Sequence, residues 1–246
     1  MGRLSISVIS PVYNEEKVIM ETLLELKKLN TDFGECIKEI IIIDDGSTDS
    51  TNEIIKKANQ QGEFTVLQNT QNYGVAYSLL RALELSKSDF SFFVPGDFTY
   101  SSLELGKVIN LALERKDKLG IYLGVRNPKR VFRSYSREFA AFLSRLAFIA
   151  ISPRAGIIPN YGLLLLPNQY LNLVPKGIRN YGAAIGLLGT CLVFRPNIYT
   201  ITIQQIEGSE KRSAKLNLTK IFDAIISLFL VVKSRKSIRA GKRIEY

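Results

Sequence analysis

Apolar and polar positions along the first half of the chain switch repeatedly between two spacings. Residues 5–10 are a short β-branched run ended by Pro11, and residues 37–43, 64–68, 89–94 and 121–125 read as further strands. Between them, apolar residues recur at helical spacing. Val18, Leu23, Leu26 and Leu29 mark one face within 17–29, and comparable faces lie over 50–60, 75–86 and 103–114. Residues 37–43 are apolar enough to suit a strand buried on both faces. The regular alternation of strand and helix predicts an α/β fold, a mostly parallel sheet flanked by helices.

The second half is less regular. Residues 133–152 read as a helix carrying basic residues, 153–175 as loops mixed with apolar runs, 180–194 as a helix or a loop followed by a strand, and 198–207 as a strand. An apolar helix is expected over 219–232, followed by a basic tail. Its apolar stretch, 221–232, has 12 residues and includes Asp223. That is too short to span a bilayer and better suits a buried or interfacial helix. The first ten residues carry no secretory hydrophobic segment, and Ile6 stands where a myristoylation signal needs Ser or Thr.

Composition then narrows the chemistry. Hydrophobic residues make up 46% and charged residues 23% of 246 positions, ordinary for a globular domain. Cys36 and Cys191 are too few for a disulfide framework or a metal cluster. Histidine is absent, which excludes His-dependent triads, His general bases and His-ligated zinc. Carboxylates, hydroxyls, backbone groups or a hard cation must carry any catalysis. Charge is unevenly placed. Residues 1–123 hold 13 basic and 18 acidic side chains, whereas 124–246 hold 20 basic and 5 acidic. An acidic half suits a cation and a basic half suits an anionic partner, whether nucleic acid, phosphorylated substrate or membrane.

Four segments concentrate polar chemistry at strand ends, where parallel α/β sheets bind ligands. Pro11-Val12-Tyr13-Asn14-Glu15-Glu16 offers an aromatic face and an acceptor carboxylate. Asp44-Asp45-Gly46-Ser47-Thr48-Asp49 places paired acids at the mouth of an apolar strand. Capping of the next helix explains its later residues but not the paired acids, whose desolvation needs a partner. Asn72-Tyr73-Gly74 precedes a helix N-terminus, a place that favours anions, and also reads as a plain turn. Pro95-Gly96-Asp97 ends a strand in an acid suited to Mg²⁺ or Mn²⁺ shared with a diphosphate.

Taken in this order, the segments resemble the family 2 glycosyltransferases of the GT-A fold, a Rossmann-like sheet, through roughly residue 130. The resemblance implies that Pro11, Tyr13, Glu15, Asp44, Asp45, Asn72 and Gly74 form the nucleotide-binding set and that Asp97 is the metal-binding and catalytic acid. Asp97 matches the last acid of the family's Asp-x-Asp, and Pro95 replaces the first. Thr99 stands where some relatives have a Gln beside the metal. Gly124-Val125-Arg126 is similar to a segment of the polyprenyl- and dolichyl-phosphate sugar synthases, which implies that Arg126 serves catalysis at phosphate groups. Arg133, Arg137, Arg212 and Lys215 are implied to bind the acceptor phosphate.

No Asp or Glu lies between Glu138 and Glu207. Transfer to a hydroxyl usually needs a carboxylate base near the acceptor, whereas an ionised lipid phosphate needs none. The resemblance implies an inverting hexosyltransferase that uses a nucleotide diphosphate sugar, and the missing base points to a polyprenyl phosphate as its acceptor. The alternatives are transfer to a glycan or lipopolysaccharide hydroxyl with Glu207 as base, and a non-catalytic scaffold that binds nucleotide sugar or membrane. The expected organisation is a GT-A domain over 1–210, with donor half 1–126 and acceptor half 127–210, followed by a basic amphipathic extension over 211–246. That extension, with ten basic and two acidic residues, suits an anionic membrane surface. It places the chain in the cytoplasm, peripheral to the inner membrane face. Nucleic acid is not expected as a partner, and an oligomer is compatible with the sequence.

Overall fold

A computed structural model of the chain describes residues 4–126, 149, 161–175, 177–178, 182–207 and 218–241. The acidic half folds as the alternation predicts. Strand β1 (Ile6–Val12) leads to α1 (Ile19–Phe33), β2 (Ile37–Asp44) to α2 (Thr51–Ala58), β3 (Thr65–Gln68) to α3 (Val75–Leu85), β4 (Phe90–Phe93) to α4 (Ser102–Arg115), and α4 to β5 (Ile121–Arg126). After residue 160 come β6 (Tyr161–Pro167), the one-turn helix α5 (Asn168–Leu171), α6 (Ala183–Leu192), β7 (Ile198–Ile203) and α7 (Leu218–Arg239). The expected helix over 133–152 lies outside the described residues, apart from a helical Ile149.

The strands form one seven-stranded sheet in the order β3-β2-β1-β4-β6-β5-β7. Every neighbouring pair is parallel except the two made by β6, which runs antiparallel between β4 and β5. Strand periodicity divides the core between the two faces. Ile40 and Ile42 of β2 pack with α1 and α4 through Leu23, Leu26, Val108 and Ile109. Ile41 and Ile43 face the other way, with Leu79 of α3, Leu188 of α6 and Val231 of α7. Each fully buried Ile or Leu side chain contributes about 1.5–3 kcal/mol through removal from water.

Two expectations change. The span 153–175 contains a strand as well as loops. The Leu163–Leu166 run lacks the β-branched residues that mark strands, and β6 is specified by burial between two neighbours. All four leucines are buried. The last helix runs past 232 to Arg239. Ser227, Val231, Ser234 and Ile238 are buried at spacings of four, three and four residues, so the packed face continues through the basic segment. The ambiguous span 180–194 contains helix α6.

Candidate active site

The four parallel strands β3, β2, β1 and β4 bring their carboxyl ends to one edge. Chain order reverses there. The sequence runs from β1 outward to β2 and β3, then returns to place β4 on the other side of β1. A crevice outside the strand ends is expected at such a switch point. A cleft of about 800 Å³, open to solvent, lies there. Pro11 and Glu15 line it from the end of β1, Phe93 through Asp97 from the end of β4, and Val75 and Leu79 from α3. The opposite wall is Gly162 and Leu164 of β6 with Leu187 of α6.

The loop after β1 is fastened to the loop after β2. The Asn14 backbone N–H donates to Ser47 Oγ (3.0 Å), and the Thr48 N–H donates to Asn14 Oδ1 (2.8 Å). The Glu15 N–H donates to Thr51 Oγ1 at 2.8 Å, and the Glu16 N–H to Asp49 Oδ2 at 3.2 Å. Desolvation works to raise the Asp49 pKa. Hydrogen bonds from the Thr51 side chain and backbone and from the Glu16 N–H outweigh it, so the carboxyl lies below its usual range.

The paired acids have found partners inside the fold. Asp44 is fully buried and accepts from the Ser47 N–H (2.9 Å) and the Asn52 amide (2.7 Å). Asp45 is 3% exposed. It accepts from the Asn69 amide (2.7 Å), the Tyr73 N–H (3.1 Å) and the Gly74 N–H (2.7 Å). These bonds use most of the acceptor capacity of a carboxylate. Asp45 therefore orients the segment that opens α3. Asn72 is exposed beside it, and Tyr13, 41% exposed, stands at the rim.

Asp97 is delivered by the Pro95-Gly96 turn. A Cβ on Gly96 would overlap the Val12 side chain and lie 2.7 Å from the Pro11 carbonyl, so only glycine allows this turn to cross the end of β1 so closely. Thr22 Oγ1 donates to the Gly96 carbonyl at 3.1 Å. Thr99 Oγ1 donates to Asp97 Oδ1. Among the described residues no cluster of three or more acids, cysteines or histidines could cage a metal. One carboxylate at the cleft mouth, with a hydroxyl on one of its oxygens, fits a hard cation that takes its remaining ligands from phosphates and water.

Arg126, at the end of β5, is half-buried. Its Nε donates to the Tyr100 hydroxyl at 2.9 Å. Burial pushes the Tyr100 pKa up. The Arg126 charge and hydrogen bond oppose the rise, and the Asp97 charge adds to it, so the phenol stays neutral at physiological pH. A Cβ on Gly162 would overlap the Tyr100 hydroxyl and sit 3.0 Å from Arg126 Nε, so this glycine makes room for the pair.

Of the residues implied by the sequence, Pro11, Glu15 and Asp97 line the cleft. Asp44, Asp45 and Gly74 lie buried in the scaffold of its β1–β2 edge, and Asn72 and Tyr13 are more exposed. Arg133, Arg137, Arg212 and Lys215 lie outside the described residues. Sequence reasoning missed Tyr100, Asn69, Gly162 and Leu187. Asn69, directly after β3, carried the same strand-end signal as the acids. The other three carried no local signal, because their roles arise from packing across the sheet.

Comparison with known proteins agrees with this geometry. The glycosyl transferase family 2 model matches residues 7–158. An uncharacterized protein of Methanocaldococcus jannaschii is 29% identical over 154 residues, 59% of this chain and 63% of that one. The undecaprenyl-phosphate 4-deoxy-4-formamido-L-arabinose transferase of Pseudomonas paraeruginosa is 26% identical over 163 residues, 65% of this chain and 45% of that protein. The chain thus spans less than two thirds of the length of these relatives. Among solved structures, glucosyl-3-phosphoglycerate synthase of Mycobacterium tuberculosis with uridine diphosphate has a TM-score of 0.69 at 20% identity, covering 94% of this chain and 80% of that one. Its complex with Mn²⁺, uridine diphosphate and phosphoglyceric acid has a TM-score of 0.66 at 20% identity, covering 94% and 78%. The mostly parallel sheet with its strand-end cleft is thus the GT-A fold, and the chain belongs to glycosyl transferase family 2.

Proposed function

We propose that the chain transfers a hexosyl group, with inversion, from a nucleotide diphosphate sugar to a polyprenyl phosphate at the cytoplasmic face of a membrane. The observation that carries this reading is the distribution of carboxylates around the cleft. Glu15 and Asp97 follow the ends of β1 and β4, whereas Gly162, Leu164 and Leu187 of the facing wall carry no carboxylate. Glu207, the nearest acid in sequence to that wall's elements, is exposed beyond β7 and does not line the cleft. Among the described residues lining that wall a hydroxyl acceptor finds no base, and a phosphate acceptor needs none. Support also comes from the Pseudomonas relative, whose name gives undecaprenyl phosphate as its substrate.

In this reading the nucleotide lies over the donor edge. Tyr13 stacks on the base, Glu15 accepts from base or ribose, and Asp45 holds the Tyr73–Gly74 backbone in place beneath them. Asn72 lies beside that segment, and the N-terminus of α3 faces the anionic diphosphate. Asp97, whose carboxylate accepts from Thr99 Oγ1, is the residue that would hold Mg²⁺ or Mn²⁺, and such an ion would supply Lewis-acid neutralisation of the leaving group. Arg126 is aimed by Tyr100 toward phosphate charge. A phosphate oxygen of the acceptor attacks the anomeric carbon from the face opposite the leaving group. The bond from that carbon to the nucleotide diphosphate breaks, and its electron pair leaves with the diphosphate. No proton has to move. Arg133, Arg137, Arg212 and Lys215, which lie outside the described residues, are the proposed ligands of the acceptor phosphate.

The test is incubation of the purified chain with labelled nucleotide sugars and membranes. The expected product partitions into organic solvent and releases its label in mild acid. Acid-stable labelled glycan would point to a hydroxyl acceptor, and donor binding without transfer to any acceptor would point to a scaffold.

A further inference from the structure

Helix α7 has two opposed faces. Ser227, Val231, Ser234 and Ile238 turn inward and are buried. Phe222, Ile225, Phe229 and Val232 recur at spacings of three, four and three residues, which places them on the opposite side. They are 61%, 50%, 62% and 44% exposed. Single exposed apolar side chains need no explanation, but an aligned row of four, two of them phenylalanine, marks an interaction surface. The same outward face changes character toward its C-terminal end, where Lys233, Lys236 and Arg239 are all exposed. An apolar row about 15 Å long is thus followed by about 10 Å of cationic surface.

We infer that this outward face of α7 docks the protein on an anionic lipid bilayer, with the Phe222–Val232 row inserted among the acyl chains and the Lys233–Arg239 turns lying at the headgroups. The charge pattern selects this occupant over a second copy of the chain. Parallel pairing of two α7 helices would bring like charges together. Antiparallel pairing would bury Lys236 against the phenylalanines, and the one acid of the helix, Asp223, is half-buried on another side. A bilayer meets both requirements at once, since hydrocarbon and anionic headgroups are stacked at its surface. No described helix is long and apolar enough to cross the membrane, so contact through this face is lateral.

Docking here bears on the cleft through α6. The start of α6 packs so closely on α7 that a Cβ on Gly182 would overlap Ser227 Oγ and the Asp223 carbonyl, while Leu187 of the same helix lines the cleft. The purpose of the surface, to meet a lipid-linked acceptor, rests on the transfer reading, but its existence does not.

Co-sedimentation of the full chain with vesicles tests it. Binding to phosphatidylcholine vesicles containing phosphatidylglycerol is expected to exceed binding to phosphatidylcholine alone by about tenfold or more. The double variant Phe222→Ser/Phe229→Ser is expected to lose at least about tenfold in partitioning while keeping its circular dichroism and melting temperature, because both side chains face outward. Lys236→Glu is expected to lower binding to anionic vesicles only. Equal binding of wild type and double variant would overturn the proposal, as would indifference to phosphatidylglycerol. So would a dimer lost on the same substitutions without vesicle binding, or retention on nucleic acid in place of vesicles. Vesicle binding without sugar transfer would leave the surface standing and sink the transfer reading. Transfer to a water-soluble polyprenyl phosphate analogue without vesicle binding would do the reverse.

Discussion

The donor edge of the cleft is held by polar side chains that hydrogen-bond one another and the backbone, whereas the facing wall is held by hydrocarbon. On that edge, Asp44, Asp45 and Asp49 each accept two or more hydrogen bonds from loops and the start of α2. On the facing wall, β6 and α6 are fixed by buried leucines, and small residues let elements approach closely. The contrast assigns different work to the two sides. A hydrogen-bonded edge is pre-organised for a ligand with many fixed polar groups, such as a nucleotide. A wall whose described residues carry no acid would, under the proposed function, suit a partner that brings its own charge and its own hydrocarbon.

Breaking each side should therefore have a different signature. The largest effect is expected for Asp97→Ala, where transfer should fall by roughly a hundredfold or more as the developing charge on the diphosphate loses its stabilisation. Near-normal turnover of this variant would remove Asp97 from the chemistry. Asp45→Ala should act on the scaffold instead. It leaves the Asn69 amide and the Tyr73 and Gly74 N–H groups without their acceptor, at a cost of about 1–3 kcal/mol in urea unfolding, together with weaker nucleotide binding by calorimetry. Unchanged stability would show that water replaces the carboxylate without loss. Tyr100→Phe keeps the buried ring and removes only the partner of Arg126. Roughly a tenfold loss in kcat/KM, with an unchanged melting temperature, is expected from one hydrogen bond to a charged group. A loss of stability with normal kcat/KM would make Tyr100 a packing residue.

The smallest effect is a pH dependence. Asp49 has a lowered pKa in the folded chain, against an ordinary value of 3.8. Its contribution is present in full above that value and is lost as pH falls through the folded one. The stability gap between wild type and Asp49→Asn should therefore close only in acid below the ordinary value. A gap that closes between neutrality and that point would assign the pH response to other groups.

The same contrast explains what the sequence revealed. The polar edge is built from contiguous segments at strand ends, so the positions of Pro11, Glu15, Asp44, Asp45 and Asp97 could be read directly, as could the alternating strands and helices behind them. What could not be read was that Asp45 already has three internal partners, since Asn69 and Tyr73–Gly74 reach it only after β2 and β3 pair. The facing wall is specified by tertiary burial. The Leu163–Leu166 run has no strand signature of its own, and its antiparallel insertion between β4 and β5 follows from the closure of the sheet. Tyr100, Arg126 and Gly162 lie far apart in sequence and meet only across β5 and β6. The buried face of α7 was obscured because Ser227 and Ser234 interrupt its apolar periodicity.

The claim that this cleft transfers sugar to a phosphate rather than to a hydroxyl can be tested on the product itself. The lipid formed from a ¹³C-labelled sugar donor can be purified and its anomeric carbon examined by NMR. The account predicts scalar coupling between that carbon and phosphorus, with the anomeric configuration opposite to that of the donor. An anomeric carbon without phosphorus coupling, bonded through oxygen to another carbon, would contradict it.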